Sequence, residues 1–316
     1  MKVNTLISAK KASSNTGWFT DLIFSYPIHT KSHPESPERL NLLVKDFNNN
    51  VFLRNNVLLF PIRAVTNEEL ALIHTRKHIN GIKNMYGVKI EQLARAAVGG
   101  ILNACDLIIH KKIITAFVAS RPPGHHAINY GREEGFCFYN NISIATKYLQ
   151  KNGFKKILII DWDYHHGDGT EFFFYEDPSV LFFSTHDWRA YPGTGDPDKK
   201  GKNKGKGFNI NVHLNCGSGN DDIEKAFIEQ LIPSAEEFKP DFVLISAGFD
   251  SRDKDTLGCF KVDDLGFRKL TKIVSKIANT HAGGKIISIL EGGYNPTGVS
   301  SSAIAHIEEL FSNTIK

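Results

Sequence analysis

An α/β fold with a mostly parallel sheet flanked by helices is what this sequence predicts, on three observations. Short apolar runs alternate with helix-compatible stretches, the pattern of βαβ units. The run Ile157-Leu158-Ile159-Ile160 is apolar throughout, which suits a strand covered on both faces. Nearly every run empties into a polar, glycine-rich or histidine-rich loop, so the loops gather along the sheet edge where ligands bind in such folds. With 316 residues, 41% hydrophobic and 23% charged, and no linker-like shift in composition, one domain spanning 1–316 is expected.

In chain order the runs fall at residues 57–60, 113–119, 157–160, 180–184, 208–212, 242–246 and 286–290. Helix-compatible stretches lie at 141–150, 222–238 and 263–280. No repeat of solenoid spacing occurs. The one biased segment, Lys199-Lys200-Gly201-Lys202-Asn203-Lys204-Gly205-Lys206-Gly207, reads as a mobile surface loop, because lysines among glycines are usually solvated; steering of an acidic substrate is the functional alternative.

A formal charge of +4 favours acidic surfaces only weakly, without the clustered basic stripe of a nucleic-acid binder. Cys105, Cys137, Cys216 and Cys259 contain no CxxC pair, which argues against a zinc ribbon or a disulfide framework and for a reducing compartment. The first residues lack the apolar core of a signal peptide, and no later stretch reads as membrane-spanning. A soluble, cytoplasmic protein with no membrane or nucleic-acid partner is expected.

The chemistry concentrates in Asp161-Trp162-Asp163-Tyr164-His165-His166-Gly167-Asp168. Asp163 and His165 lie two apart in extended backbone, on the same side of the chain, and can share one metal. Asp250, at the end of Ser246-Ala247-Gly248-Phe249-Asp250, could supply a third ligand. Two carboxylates and one imidazole neutralise a divalent cation and leave room for water and substrate. The set suits zinc (Zn2+) and also accepts Fe2+, Co2+ or Mn2+. Taken singly, a strand-end aspartate is often a helix cap and a lone histidine a hydrogen-bonded core residue. The adjacent histidines of Arg121-Pro122-Pro123-Gly124-His125-His126-Ala127, again after a strand, weigh against that bland reading. His126 suits a general base toward water and an acid toward the leaving amine. Asp161 and Asp168 are candidates to orient the two imidazoles. Tyr294, in Glu291-Gly292-Gly293-Tyr294-Asn295, could donate to a developing oxyanion, although an interfacial tyrosine is the commoner reading of Gly-Gly-Tyr.

Taken in order, these motifs resemble the zinc-dependent histone deacetylase family, including bacterial deacetylase-like amidohydrolases and acetoin-utilisation proteins. The resemblance also covers His33-Pro34-Glu35-Ser36-Pro37-Glu38-Arg39-Leu40, Gly135-Phe136-Cys137-Phe138-Tyr139-Asn140-Asn141 and Tyr191-Pro192-Gly193-Thr194-Gly195-Asp196, from about residue 32 to 295. It implies the arginase/deacetylase fold with an eight-stranded parallel sheet. It also implies hydrolysis of an Nε-acyl-lysine amide in a protein or peptide, with one zinc on Asp163, His165 and Asp250. By the same resemblance His126 is base and acid, His125 polarises water and stabilises charge, and Tyr294 holds the oxyanion; one subclass has histidine in place of that tyrosine. Phe136 and Tyr191 resemble the aromatic walls of an acyl-lysine tunnel, and Gly135 offers its carbonyl to the amide N–H. A structural K+ would sit on groups matching Asp161, Asp163, His165, Ser184 and Thr185. Leu257 matches a rim position where polyamine-specific members carry a glutamate, so an apolar residue there favours lysine.

Three positions depart from the pattern. Asp168 replaces the asparagine of many second-class relatives, which bears on histidine basicity. The stretch 47–105 contributes no aspartate between Phe47 and Cys105 to clamp a peptide backbone, with Glu91 as a possible substitute. His213 stands where a proline is expected. Competing readings are a deacylase of small-molecule amides such as acetylpolyamines, a non-catalytic acyl-lysine binder, and an arginase-type enzyme with two manganese ions, for which Ser246-Ala247-Gly248-Phe249-Asp250-Ser251-Arg252-Asp253-Lys254-Asp255 offers no clear second ligand set.

Overall fold

The computed structural model describes residues 15–30 and 32–314. Eight strands form one sheet: β1 (Thr16–Phe19), β2 (Leu58–Phe60), β3 (Thr115–Val118), β4 (Ile157–Asp161), β5 (Val180–His186), β6 (Asn209–His213), β7 (Phe242–Ala247) and β8 (Ile286–Leu290). Their order is β2-β1-β3-β8-β7-β4-β5-β6, and every pairing is parallel. Seven strands coincide with the apolar runs. The eighth, β1, is a four-residue TGWF segment, too short and too mixed for periodicity to reveal.

Helices cover both faces: α1 (Glu38–Asn49), α2 (Val51–Asn56), α3 (Asn67–Leu70), α4 (Arg76–Ile109), α5 (Asn141–Lys151), α6 (Asp168–Phe174), α7 (Asn220–Ala226), α8 (Ile232–Phe238), α9 (Asp264–His281) and α10 (Pro296–Asn313). Strand residues alternate between two cores. Leu158, Ile160, Leu181, Phe183, Val243 and Ile245 pack with residues of α1, α9 and α10. Their neighbours Ile157, Ile159, Val180, Phe182, Phe242 and Leu244 pack with residues of α4 and α5. Two-sided burial is why the runs are continuous rather than alternating.

Three expectations are corrected. α4 is long and apolar enough to cross a membrane by length and composition, yet 67% of that window is buried inside the fold; it is a core helix against the sheet. Cys216 and Cys259 are bonded, with Cα atoms 5.2 Å apart. Their 43-residue separation hides a proximity created where the loops after β6 and β7 meet. Segment 199–207 is held against the turn after α6 rather than free. There the Lys202 N–H donates to Tyr175 O at 2.9 Å, and Asn203 Nδ2 donates to Glu176 Oε2 at 2.8 Å.

Candidate active site

Four adjacent strands, in the order β3-β8-β7-β4, deliver the site from their C-terminal ends. β3 leads to His125 and His126, β8 to Tyr294, β7 to Asp250, and β4 to Asp163 and His165. Asp250 is far from Asp163 in sequence but adjacent in space, because β7 pairs with β4 in a register that sets Asp161 beside Ser246.

Ligand atoms of Asp163, His165 and Asp250 all lie within 4.8 Å of one another. His165 Nδ1 is 3.2 Å from Asp163 Oδ1 and 3.0 Å from Asp250 Oδ2. Backbone donors hold the carboxylates: Gly292 N–H to Asp163 Oδ2 at 2.8 Å, and Tyr164 N–H to Asp250 Oδ1 at 2.8 Å. A Cβ on Gly292 would collide with both carboxylates, so the close approach requires glycine. Burial opposes a charge on His165, but hydrogen bonds to Asp163 and Asp250 outweigh it and take the imidazole up to about 10. Burial and the charge of Asp163 push Asp250 up to about 7. Asp163 overcomes its burial and is held low by His125 and His165. Convergent carboxylates around one imidazole, supported from behind, fit a divalent cation.

Beside them stand two imidazole–carboxylate pairs. His125 Nδ1 is 2.9 Å from Asp161 Oδ2, and His126 Nδ1 is 2.7 Å from Asp168 Oδ1. The ring centroids of the two histidines are 4.0 Å apart. In each pair the Nδ1 proton goes to the carboxylate, leaving Nε2 to act. Burial lowers His125, but Asp163, Asp161 and Glu291 together raise it well above its ordinary value. Burial and the charge of His125 bring His126 down to about 4, against the pull of Asp168.

These groups open into a cavity of about 500 Å³ lined in part by His126, Gly135, Phe136, His165, Tyr191, Leu257 and Tyr294. Gly135 and Phe136 form the tip of a two-residue turn, with φ of +52° and +67°. The Glu134 and Cys137 main chains exchange both hydrogen bonds across it. The Tyr191 ring meets His126 edge-on at 5.0 Å, and Phe136 meets Tyr294 edge-on at 5.7 Å. Burial raises the Tyr294 phenol well above its ordinary value despite the Arg39 guanidinium, so it remains a donor. Ser184 lies beside Asp161 in the β4–β5 register, and its Oγ is 2.8 Å from His186 Nδ1. Thr185 follows it, buried on β5.

Other sequence-singled residues sit elsewhere. Glu91 is buried, ion-paired with Arg95 and 3.3 Å from the Tyr139 hydroxyl, so it is committed to α4 packing and does not replace the peptide clamp. His213 accepts the Trp188 N–H at 3.3 Å, a bond no proline could make from its side chain. Cys137 is buried and donates to the Gly135 carbonyl at 3.3 Å.

Sequence reasoning missed the supports behind the site. Glu35 Oε1 receives Arg121 Nε at 2.7 Å and Arg39 Nη1 at 3.2 Å. Arg39 in turn donates to the carbonyls of Gly293 and Glu291, fixing the turn that bears Tyr294. Glu291 Oε2 receives the N–H groups of Gly124 at 2.6 Å and His125 at 3.2 Å. The available signal was the charge spacing of Glu35 and Arg39, four apart, within an otherwise unexplained motif.

The family description "Histone deacetylase domain" matches residues 33–310. Histone deacetylase 15 of Arabidopsis thaliana is 36% identical, with 90% of this chain and 54% of that protein covered. Histone deacetylase 6 of Caenorhabditis elegans is 37% identical, covering 90% and 32%. A probable deacetylase of Archaeoglobus fulgidus is 35% identical, covering 88% and 82%. Thus the chain spans about half of the first relative's length and a third of the second's. Among solved structures, the crystal structure of the HDA15 HD domain superposes with a TM-score of 0.88 at 34% identity, covering 95% of this chain and 88% of that one.

Proposed function

The chain belongs to the histone deacetylase family, and from that premise we propose that it is a metal-dependent amidohydrolase removing acetyl or other acyl groups from Nε-acyl-lysine. The family supports deacetylase activity in general; the acyl-lysine substrate and zinc are the finer parts of the proposal. The observation that carries it is the Asp168-paired His126 beside the Asp163–His165–Asp250 cluster at an aromatic-walled cavity.

A divalent cation on that cluster, zinc foremost, would polarise the substrate carbonyl and acidify water. His126, neutral and with Nε2 exposed to the cavity, takes a proton from water and returns it to the leaving amine. His125 carries positive charge toward the developing oxyanion, and Tyr294 donates its phenolic proton in a hydrogen bond. Gly135 offers its carbonyl to the substrate amide, while Phe136 and Tyr191 enclose an extended alkyl chain. We extend the proposal to a K+ held by groups of Asp161, Asp163, His165, Ser184 and Thr185, behind the cluster.

Turnover of acyl-lysine peptides from acetyl to long acyl, beside acetylpolyamines and with and without chelator, tests the proposal. Chelator-sensitive release of free lysine is expected. Silence on every peptide with one metal bound per chain would leave a small-molecule amide or a non-catalytic binder as the reading.

A further inference from the structure

Glu133 supplies the carboxylate among the residues lining the cavity above the site. It precedes the Gly135–Phe136 turn, and its N–H donates to Tyr86 Oη at 3.1 Å, so its backbone is anchored. The basic side chain paired with it is His29, whose Nε2 lies 3.8 Å from Oε1, beyond hydrogen-bonding distance. That histidine is no cation: burial, and then His33 stacked on it at 3.8 Å, bring it down to about 4. Arg121 and Arg39 are spent on Glu35, and Arg132, beside Glu133 in the chain, lies over the Tyr130 ring.

An acid held this way, 18% exposed and facing a substrate cavity, has acceptor capacity left unused among the described residues. Burial and the charge of Glu35 push it up to about 7, a cost that an arriving cation would remove. Leu257, lining the same cavity from the loop after β7, supplies no charge of its own.

Resting on the acyl-lysine reading above, we propose that Glu133 is a specificity-determining residue that accepts a cationic group, ammonium or guanidinium, carried by the substrate beside its acylated amine. Two sources share that chemistry. One is a lysine or arginine flanking the acyl-lysine in a peptide; the other is the second amine of a short acetylated diamine.

The test compares matched acetyl-lysine peptides bearing Arg, Ala or Glu next to the acetyl-lysine, with monoacetylputrescine as a further probe, on wild type and Glu133→Gln. Wild type should prefer Arg over Ala by roughly threefold to tenfold in kcat/KM, the range of a partly screened charge pair, with Glu poorest. In Glu133→Gln the ratio should fall to near one, through KM rather than kcat. Putrescine turnover that collapses in the variant would assign the cation to a small amine; a collapse confined to peptides would assign it to a flanking residue. Equal wild-type rates for Arg and Ala, or a preference that survives in Glu133→Gln, overturns the inference. Fluorescence anisotropy with the same labelled peptides reads the charge preference without turnover, so an inactive protein would sink the amidohydrolase reading while still deciding the role of Glu133. If the variant does not fold, raising salt should drive the wild-type ratio toward one, and a ratio unmoved by salt overturns the inference.

Discussion

His125 and His126 are neighbours in the chain, each paired through Nδ1 with an aspartate, yet they settle into opposite protonation states. The difference lies in what surrounds each pair. Asp161 is fully buried, and Asp163 and Glu291 add negative charge around His125, which therefore stays charged. Asp168 is 28% exposed, and burial together with the positive charge of His125 keeps His126 neutral. Two like dyads thus differ in charge through environment alone, which under the proposed function suits one to stabilise charge and the other to act as a base.

The comparison can be broken at the cluster that both pairs border. Asp250→Ala removes one of three convergent donors; metal content should fall from one per chain to near zero, measured by elemental analysis, with turnover lost together. His126→Ala should instead keep its metal while kcat falls by about 10²- to 10⁴-fold. Near-normal turnover in that variant would refute the assignment of base.

Exchanging the carboxylates sharpens the contrast. Asp161→Asn removes the negative charge that faces a buried, charged His125 and should cost about 3–5 kcal/mol of stability in chemical denaturation. Asp168→Asn, at the more exposed pair, should leave stability within about 1 kcal/mol of wild type. It should lower kcat by roughly 10- to 100-fold through loss of the carboxylate charge that supports His126 as a base, the amide oxygen still accepting from Nδ1. Similar stability losses in both would mean that exposure does not separate the dyads.

The smallest effect comes from histidines away from the site. Burial brings His306 down to about 3, and burial followed by the charge of His78 brings His74 down to about 3. Below pH 6.5 the unfolded chain binds protons that these folded imidazoles refuse, so their contribution to stability is complete above pH 6.5 and is lost as pH falls toward 3. The expected slope is on the order of 1 kcal/mol per pH unit for each histidine. Thermal melts from pH 7 to pH 4 on wild type and His306→Gln should show a shallower decline in the variant.

Much of the site was readable because its chemistry is local. Asp163 and His165 share a face through strand geometry, and the paired histidines follow a strand whose aliphatic run announces it. Glu91 misled because helix α4 turns its carboxylate inward to Arg95, and a side chain's direction on a helix depends on which face packs. The Lys/Gly segment misled because its composition is that of a solvated loop, whereas hydrogen bonds to Tyr175 and Glu176, outside it, tie it to the turn after α6.

By itself the sequence determined the strands that alternate between two cores, the loops that end them, and the donor types suited to a metal and a base. Periodicity and residue chemistry express these within a few positions of the chain. Only the tertiary structure decided that β7 lies beside β4 and brings Asp250 to His165. It also joined Cys216 to Cys259 and set the Glu35–Arg39–Arg121 ion cluster behind Tyr294. It likewise left His125 charged and His126 neutral in two like histidine–aspartate pairs. Strand order is chosen by crossover packing, and the state of a buried ionisable group by the summed field of neighbours from distant segments; neither is written in any one stretch of residues.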